Sequence, residues 1–355
     1  MKQNIIARIL LSPFTLLYMS LISLRNIFYD AGLLKSTSFN LPVINIGNLS
    51  LGGTGKTPHI EYLIRLLRPY LNVATLSRGY KRKSKGFQWV SAVDTAREKG
   101  DEPVQFKTKF PDVPVAVSES RNVGIPLILS KEPQTQLILL DDAFQHRSVI
   151  PGLNILLSEY DNLFTDDYLL PMGRLREPRS SYERADIIIV SKCPATLSPG
   201  ERSEIMNKIQ PLEKQIVLFS KYSYHTPHFI FDKNIKFPLA NNPSVVLISA
   251  IASVDYLLDY MRQSTVIENI VKYEDHHFFT EFEMEHLKKI YNNLENDNTV
   301  FITTEKDATR LELHKDFLVQ NNIPIFVLPI EVEFLDDDQE KFDKLIKDYL
   351  ISFKV

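Results

Sequence analysis

Cysteine is almost absent from this sequence, and no strong excess of positive charge is present. The single cysteine among 355 residues, Cys193, excludes a disulfide framework and a cysteine-rich zinc site. The formal net charge of −3 argues against a general nucleic-acid-binding protein, because such proteins are usually basic. A hydrophobic content of 44% is ample for buried cores, so we expect one large or two medium globular domains.

The N-terminal segment lacks an apolar run long enough for a standard membrane span. Its longest uncharged run, from Ile9 to Leu24, has 16 residues and contains Pro13, whereas a span needs roughly 20. Apolar residues nevertheless recur at helical spacing, with Lys2, Arg8 and Arg25 between them. This pattern predicts a helix in residues 1–29 that lies in the membrane interface with basic anchors. An amphipathic helix packed on the protein's own core would show the same period.

A glycine-rich segment, LPVINIGNLSLGGTGKTPHI, occupies residues 41–60 between a predicted strand and a predicted helix. This order is typical of a phosphate-binding loop, in which backbone N–H groups and a helix N-terminus converge on phosphate oxygens. Ser50 stands where the general spacing has its first glycine. We therefore expect ATP and Mg²⁺ as cofactors, in a reducing, ATP-containing compartment. Lys56 would contact the β- and γ-phosphates and Thr57 would bind Mg²⁺, and the expected nucleotide-binding residues are Gly52, Gly53, Thr54, Gly55, Lys56 and Thr57.

A second nucleotide-site pattern follows the apolar run from Leu137 to Leu140. The run ends in Asp141 and Asp142, which matches a Walker-B strand that delivers a carboxylate to Mg²⁺. Alone this pattern is weak, but with the phosphate loop upstream it is strong. The segment that follows contains three polar side chains, more than the end of a strand requires for its structure: Gln145, His146 and Arg147.

Three further polar segments admit a structural or a functional interpretation. Asp101 and Glu102 precede Pro103 at a predicted helix start. Helix capping requires one acidic residue there, so the second has no structural explanation from capping. The loop at residues 170–178 is either ordinary surface or a contact to substrate. The basic run at residues 81–85 is either a solvated loop or a contact to anionic substrate or lipid head groups.

Buried strands alternate with helices along most of the chain, which is typical of a parallel sheet covered by helices. The pattern restarts near residue 215, where residues 215–220 and 222–231 alternate like a two-stranded ribbon. We therefore predict an α/β fold of the P-loop NTPase type, with an N-terminal membrane-associated helix (1–29), a P-loop domain (30–214) and a second, smaller α/β domain that includes the ribbon (215–355). The predicted strands are 43–46, 73–76, 113–117, 137–140, 154–157, 185–190, 245–249, 300–304 and 323–328, and a last helix is predicted at 338–353.

Taken together, seven segments resemble one family, the tetraacyldisaccharide 4'-kinases, which phosphorylate the lipid A precursor. Ser50 agrees with this family. Two departures from its pattern are Ala143, where the family usually has glycine, and Ala250-Ile251-Ala252, where it has a Gly-Ile-Gly turn. The matching segments occur in the family's order over about three quarters of the chain: 47–58, 77–80, 100–103, 141–147, 171–178, 275–277 and 304–308.

The resemblance implies an ATP- and Mg²⁺-dependent kinase of lipopolysaccharide biosynthesis. It would transfer the γ-phosphate of ATP to the 4'-hydroxyl of the tetraacyldisaccharide 1-phosphate precursor of lipid A. The resemblance also implies two α/β/α domains joined by a short β-ribbon, with the active site in the cleft between them. The N-terminal helix would seat the enzyme on the cytoplasmic face of the bacterial inner membrane. No nucleic acid and no obligate protein partner are implied.

The resemblance also assigns roles to residues. Asp101 would be the general base, paired with His276 from the second domain, and at most one of the adjacent His276 and His277 would face the site. Asp142, with Asp141 or Glu102, would join Thr57 around Mg²⁺. The residues expected on the substrate side are Arg78, Arg121, Gln145, His146, Arg147, Arg176 and Glu177.

An alternative hypothesis is a membrane-associated P-loop ATPase that acts as a switch or partner-exchange protein. Leu51 stands in place of the lysine that marks the best-known loop of that type, which argues against it. A non-catalytic nucleotide-binding scaffold is disfavoured, because a candidate base, metal ligands and the phosphate lysine are all present.

Overall fold

The computed structural model describes residues 5–294, 296 and 298–353. Lys2, one of the predicted basic anchors, lies outside the described residues. The strands are β1 (Val43–Asn48), β2 (Val73–Ser77), β3 (Gln88–Trp89), β4 (Val115–Val117), β5 (Leu137–Asp141), β6 (Leu153–Glu159), β7 (Ile187–Ser191), β8 (Ile216–Tyr224), β9 (His228–Phe229), β10 (Asp232–Lys236), β11 (Ser244–Ser249), β12 (Val266–Lys272), β13 (Val300–Thr304), β14 (Ile325–Leu328) and β15 (Ile330–Phe334). The helices are α1 (Ile5–Asp30), α2 (Lys56–Leu67), α3 (Ala96–Lys99), α4 (Asp101–Lys109), α5 (Arg121–Lys131), α6 (Pro199–Ile209), α7 (Asp255–Ser264), α8 (Glu281–Asn292), α9 (Glu305–Leu311), α10 (Lys315–Gln320) and α11 (Asp338–Ser352).

The first sheet contains nine strands in the order β15-β8-β7-β6-β1-β5-β2-β4-β3. Its central strands are parallel and buried along their whole length, as expected where helices cover both faces. Ile46 of β1 pairs with Asp141 of β5, so the phosphate loop and the two aspartates leave the sheet at the same edge. Ligands of open α/β sheets bind at this carboxyl edge.

The second sheet contains six strands in the order β10-β9-β14-β13-β11-β12. Its central strands β11, β13 and β14 are parallel. They pack with α8 and α9 around one apolar cluster that includes Val246, Met284 and Phe301, and with α7 around another that includes Leu247 and Met261. The fold class is confirmed: a P-loop NTPase-like parallel sheet is followed by a second, smaller α/β unit. The predicted strands at 245–249, 300–304 and 323–328 correspond to β11, β13 and β14.

A two-stranded ribbon joins the sheets, but its predicted composition is wrong. Residues 216–224 form one strand, β8, whose antiparallel partner is β15, with Ile330 opposite Tyr224. Local alternation cannot identify a partner strand more than a hundred residues away. After β15 the chain stays with the first sheet, because Phe342 and Ile346 of α11 are buried in its core. Residues 225–329 therefore contain the second sheet, and the chain on both sides of this range belongs to the first. The sequence predicts a single boundary at residue 215.

Helix α1 lies on the protein surface with its apolar side chains turned away from the protein. Leu10, Phe14, Leu17 and Leu21 are all more than half exposed, whereas Thr15 on the opposite face is buried. Among the described residues, the segment 6–30 is the one helix with the length and composition to cross a membrane. The alternative prediction, a helix that packs its apolar face on the protein's own core, is therefore wrong.

Candidate active site

The phosphate loop connects β1 to α2 and is held open by hydrogen bonds from neighbouring side chains. Gly52 and Gly55 have φ of +116° and +87°, a backbone region that favours glycine. The Asn48 side-chain amide donates to Thr54 Oγ1 at 2.9 Å, and the Ser191 hydroxyl donates to the Thr54 carbonyl at 2.8 Å. These two hydrogen bonds therefore fix the position of Thr54 in the loop.

Lys56 is the first residue of α2 and points at the end of β5. Its Nζ lies 3.8 Å from Asp142 Oδ2, and the Arg176 guanidinium donates to both carboxylate oxygens of Asp142, at 2.8 and 3.2 Å. Burial alone would raise the pKa of Asp142, but the charges of Lys56 and Arg176 hold this pKa well below its ordinary value. Asp142 is thus an ionised carboxylate engaged by two cations.

Asp141 has a different environment from its neighbour. Burial, together with the negative charges of Glu102 and Asp142, raises the pKa of Asp141 to about 7. Ser77 Oγ donates to Asp141 Oδ2 at 3.2 Å, but Oδ1 is buried with no hydrogen-bond partner in the described part of the chain. A buried orphan carboxylate oxygen fits a cation ligand. Among the described residues, however, no group of three or more His, Cys, Asp or Glu side chains is arranged to hold a metal ion.

The two units meet where Asp101, the first residue of α4, contacts His276 from the turn after β12. The Nδ1 atom of His276 lies 2.9 Å from Asp101 Oδ2, and the Lys306 ammonium donates to His276 Nε2 at 3.1 Å. Because an ammonium group only donates, Nε2 must accept, so Nδ1 carries the ring proton and donates it to Asp101. His277 instead contacts Glu283 at 2.9 Å. One histidine of the pair faces Asp101, although both lie in a turn and not in a strand.

Arg310 and Lys306, both on α9, are charged site residues that the sequence analysis gave no role. Arg310 is fully buried and donates hydrogen bonds to Asp101 and Asp307. Burial alone would raise the pKa of Asp101, but the His276 hydrogen bond and the charges of Arg310 and Lys306 keep it below its ordinary value. Lys306 lies in the segment 304–308, one of those that carry the family resemblance. That membership was the feature of the sequence that could have identified Lys306 as a site residue.

The residues expected on the substrate side divide into exposed and buried groups. Arg78 is exposed at the end of β2, and its side chain forms no hydrogen bond or ion pair in the described part of the chain. Arg121 is fully buried and donates to the carbonyls of Ser118 and Asp141, both at 2.9 Å. Glu177 is also fully buried, paired with Arg184 and with Arg25 of α1. Arg121 and Glu177 therefore form their hydrogen bonds and ion pairs with other parts of the protein in this structure.

The other residues of this set hold neighbouring segments in place. Gln145 donates to the Asn48 carbonyl at 2.9 Å, and Arg147 donates to the Asn26 carbonyl of α1 at 3.0 Å. His146 Nε2 accepts a hydrogen bond from the first N–H of α5, and burial with the nearby arginine charges lowers its pKa to about 4. Several predicted substrate contacts thus secure the phosphate loop and α1.

The polar face of α1 contacts the loop at residues 170–178. Tyr18 Oη donates to the Arg176 carbonyl at 2.9 Å, and the Met172 N–H donates to Thr15 Oγ1 at 3.2 Å. The same helix reaches the loop after β5, where Arg25 donates to the Gln145 carbonyl at 2.8 Å. The surface helix is therefore joined directly to the segments that flank Asp142.

The turn after β11, residues 250–252, approaches the phosphate loop from the second unit. A Cβ built on Gly53 would lie 3.7 Å from the Ala252 Cβ, an ordinary van der Waals contact. Beside this turn is an open depression of about 730 Å³, lined by Ile251, Ala252, Lys272, Tyr273, Glu274, Asp275 and His277. Its volume is in the range of small-molecule sites.

Comparison with known proteins gives one consistent family. The profile of the tetraacyldisaccharide-1-P 4'-kinase family, LpxK, matches residues 7–351. The chain is similar to the tetraacyldisaccharide 4'-kinase of Bacteroides thetaiotaomicron, with 44% identity over 96% of this chain and 92% of the relative. It is also similar to the protein of the same name from Flavobacterium johnsoniae, with 43% identity over 98% of each chain.

A solved structure has a similar fold. The crystal structure of LpxK from Aquifex aeolicus in complex with ATP superposes with a TM-score of 0.74 and 30% sequence identity. The superposition covers 97% of this chain and 99% of the Aquifex protein, so both sheets and their connection are shared.

Proposed function

The chain belongs to the tetraacyldisaccharide 4'-kinase family and is an ATP-dependent lipid kinase; we propose that its phosphate loop and the Asp101–His276 pair together carry out the phosphoryl transfer. The γ-phosphate of ATP moves to the 4'-hydroxyl of the tetraacyldisaccharide 1-phosphate precursor of lipid A. The observation that carries this proposal is the contact between Asp101 and His276, which joins the two units beside the phosphate loop. Phosphoryl transfer depends mainly on positioning and charge neutralisation, and this site offers both.

Asp101 acts as the general base in this proposal. Its lowered pKa keeps the carboxylate ionised at neutral pH but makes it a weak base, so its contribution comes from orientation. His276 holds that orientation through its Nδ1–H hydrogen bond. As the acceptor hydroxyl attacks phosphorus, its proton passes to the carboxylate, and the bond between phosphorus and the departing ADP oxygen breaks.

The phosphate loop holds the nucleotide. Gly52, Gly53, Thr54 and Gly55 would surround the phosphates, and the N–H of Thr54, which donates to the Gly52 carbonyl at 3.2 Å in this structure, would then turn to a phosphate oxygen. The N-terminus of α2 adds partial positive charge. Lys56 moves from its ion pair with Asp142 to the β- and γ-phosphates when ATP binds. Arg176 then remains as the cation that balances Asp142.

Mg²⁺ fits best beside Asp141. The Asp141 Oδ1 atom is buried without a hydrogen-bond partner in the described part of the chain, and the negative charges of Glu102 and Asp142 lie near it, which fits the binding of a divalent cation. Asp141, Glu102 and the Thr57 hydroxyl would hold the ion, with Asp142 in support. When bound, the ion neutralises charge on the β- and γ-phosphate oxygens.

The exposed apolar face of α1 supports attachment to a membrane surface. A lipid surface is the environment in which these leucines and phenylalanines lose their contact with water. The acceptor is itself a lipid and ATP is cytoplasmic, which favours the cytoplasmic face of the bacterial inner membrane. No nucleic acid and no obligate protein partner enter the proposal.

The decisive experiment is incubation of the full chain with ATP, Mg²⁺ and a lipid A disaccharide 1-phosphate, followed by mass analysis. We expect the acceptor to gain the mass of one phosphate, with ADP formed in equal amount. ATP consumption without phosphorylated lipid would overturn the proposal in favour of an ATPase. Asp101→Ala serves as the control that retains the phosphate loop.

A further inference from the structure

Arg310 connects three groups that belong to different parts of the site. It lies on α9 in the second unit, yet it contacts Asp101 on α4, which is 209 positions away in sequence. Its guanidinium also donates to Asp307 one turn earlier on its own helix and to the Ala250 carbonyl at 3.1 Å. A planar guanidinium with its fork of donors can span such a set, whereas an ammonium cannot.

The Ala250 carbonyl links Arg310 to the second member of the pair. This oxygen also accepts the backbone N–H of His276 at 3.2 Å. His276 has φ of +61°, a left-handed conformation that a residue with a side chain adopts only when its surroundings hold it there. Arg310 therefore contacts Asp101 directly and shares with His276 the oxygen that fixes its backbone.

The hydrogen bonds on Asp101 all go to one carboxylate oxygen. Both Arg310 and His276 donate to Oδ2, and within the described residues no hydrogen bond goes to Oδ1. Two donors on one oxygen fix the rotation of the carboxylate and leave the other oxygen free to accept a proton. A carboxylate bound through both oxygens, as Asp142 is by Arg176, is not available in this way.

We propose that Arg310 is a positioning residue for the kinase reaction, which holds Asp101 Oδ2 so that Oδ1 faces the acceptor hydroxyl. The inference rests on the base role of Asp101 proposed above. Removing a guanidinium from water is unfavourable in free energy. Here the contacts of Arg310 with Asp101 and its surroundings offset that desolvation. A purely structural bridge between two helices would not need the third contact, to the turn that holds His276.

The test compares Arg310→Met and Arg310→Lys in the full chain, each alone and combined with Asp101→Ala. We expect Arg310→Met to lower kcat about 10²-fold, because a small misplacement of a reacting group costs that much. The affinity for ATP should change less than about twofold, since Arg310 contacts none of the phosphate-loop residues. Arg310→Lys should recover part of kcat but not all of it.

In the Asp101→Ala background, Arg310→Met should lower kcat no further, because the group it positions is gone. A suitable control is Arg202→Met, which removes another arginine that bridges two aspartates, Asp336 and Asp338. It should leave kcat near normal.

Four outcomes would overturn the inference. One is a kcat for Arg310→Met that is no lower than the kcat of Arg202→Met. Another is that Arg310→Met lowers kcat in the Asp101→Ala background by the same factor as in the wild-type protein. If Arg310→Met does not fold, Arg310→Lys carries the test, and full activity in that variant contradicts the inference. Near-normal turnover of Asp101→Ala would instead remove the proposed base, and the role of Arg310 with it.

Discussion

Asp101 and His276 are 175 positions apart in sequence, and their side chains are joined by a 2.9 Å hydrogen bond between the two sheets. Asp101 opens the helix that packs on the first sheet, and His276 follows β12 of the second. The pair therefore exists only when the two units are in contact, which makes it a sensitive measure of how the site is assembled.

The Asp101→Ala and His276→Ala variants should be strongly non-additive. General-base assistance is worth roughly 10²- to 10⁴-fold in rate, so each single variant should lose turnover in that range. The double variant should be little worse than Asp101→Ala, because His276 then has no carboxylate to orient. Turnover and ATP affinity are measured across the cycle, and ATP affinity should be largely unchanged. Losses that multiply would show that His276 acts independently, with His277→Ala as the next variant to test.

Lys56→Ala should lower turnover a few hundredfold. The substitution removes a positive charge directed at the transferring phosphoryl group, a contribution on the order of 3–4 kcal/mol. Steady-state kinetics at saturating ATP measure the effect. Lys214→Ala, which removes an exposed lysine outside the phosphate loop and outside the basic run at residues 81–85, is the control and should keep most of the activity. Near-normal turnover of Lys56→Ala would mean that this loop does not hold the reacting phosphate.

Glycine at position 55 should be required for two reasons that can be separated. Its φ of +87° is unfavourable for alanine, and a Cβ would also collide with the Tyr222 hydroxyl. Gly52→Ala has the backbone penalty alone, because no atom lies within 4 Å of the built Cβ. ATP affinity should fall more in Gly55→Ala than in Gly52→Ala, and Tyr222→Phe should restore part of the difference. Equal losses that Tyr222→Phe leaves unchanged would exclude the steric contribution.

Replacement of the exposed apolar face of α1 should release the protein from lipid vesicles. The variant carries serine at Leu10, Phe14, Leu17 and Leu21, and each side chain is worth about 1.5–3 kcal/mol when fully buried. The polar contacts of Tyr18 and Arg25 on the other face remain, so the folded site should be kept. Flotation with anionic vesicles measures binding, and ATP affinity checks the site.

The matched control for that variant places serine at exposed apolar positions away from α1, such as Val93 and Val319. It should float with vesicles like the wild-type protein. Undiminished flotation of the α1 variant would place the lipid-binding surface elsewhere, and loss of ATP binding would show that the apolar face supports the fold.

The contribution of His59 to stability should be lost as the pH is lowered from 6.5 towards 4. Burial lowers the pKa of His59 to about 4, and its ring contacts the Gly55 carbonyl and the Ser220 hydroxyl. Within this pH window the His59 ring binds more protons in the unfolded chain than in the folded chain, so acid favours unfolding through this residue. His59→Asn should lose about 3 kcal/mol less stability across the window than the wild-type protein. Denaturant unfolding at several pH values measures the difference, and parallel curves would contradict it.

The sequence predicted best those features that depend on local spacing. The strand–loop–helix of the phosphate loop and the apolar strand that ends in Asp141 are determined by adjacent residues, and both form as expected. The partner of β8 depended on β15, and the importance of Arg310 depended on a contact across 209 positions. Neither leaves a local pattern.

The polar residues near the site show a second limit of sequence interpretation. A motif indicates that Arg121, Glu177 and Arg147 belong to one region, but it does not indicate which way each side chain points. In the structure two of them are buried and the third holds α1. Polarity in a motif therefore indicates that residues lie in one region, but it does not indicate which contacts their side chains make.

The pairing of β8 with β15 has a consequence for synthesis on the ribosome. The first eight strands emerge before residue 225, but the strand that covers the edge of β8 emerges only after residue 330. At about 5–20 residues per second, that edge waits roughly 5–20 s for its partner. The second sheet is translated during this interval, so it has time to fold first. An unpaired strand edge invites association with other chains, so the nascent protein is exposed to aggregation at this stage.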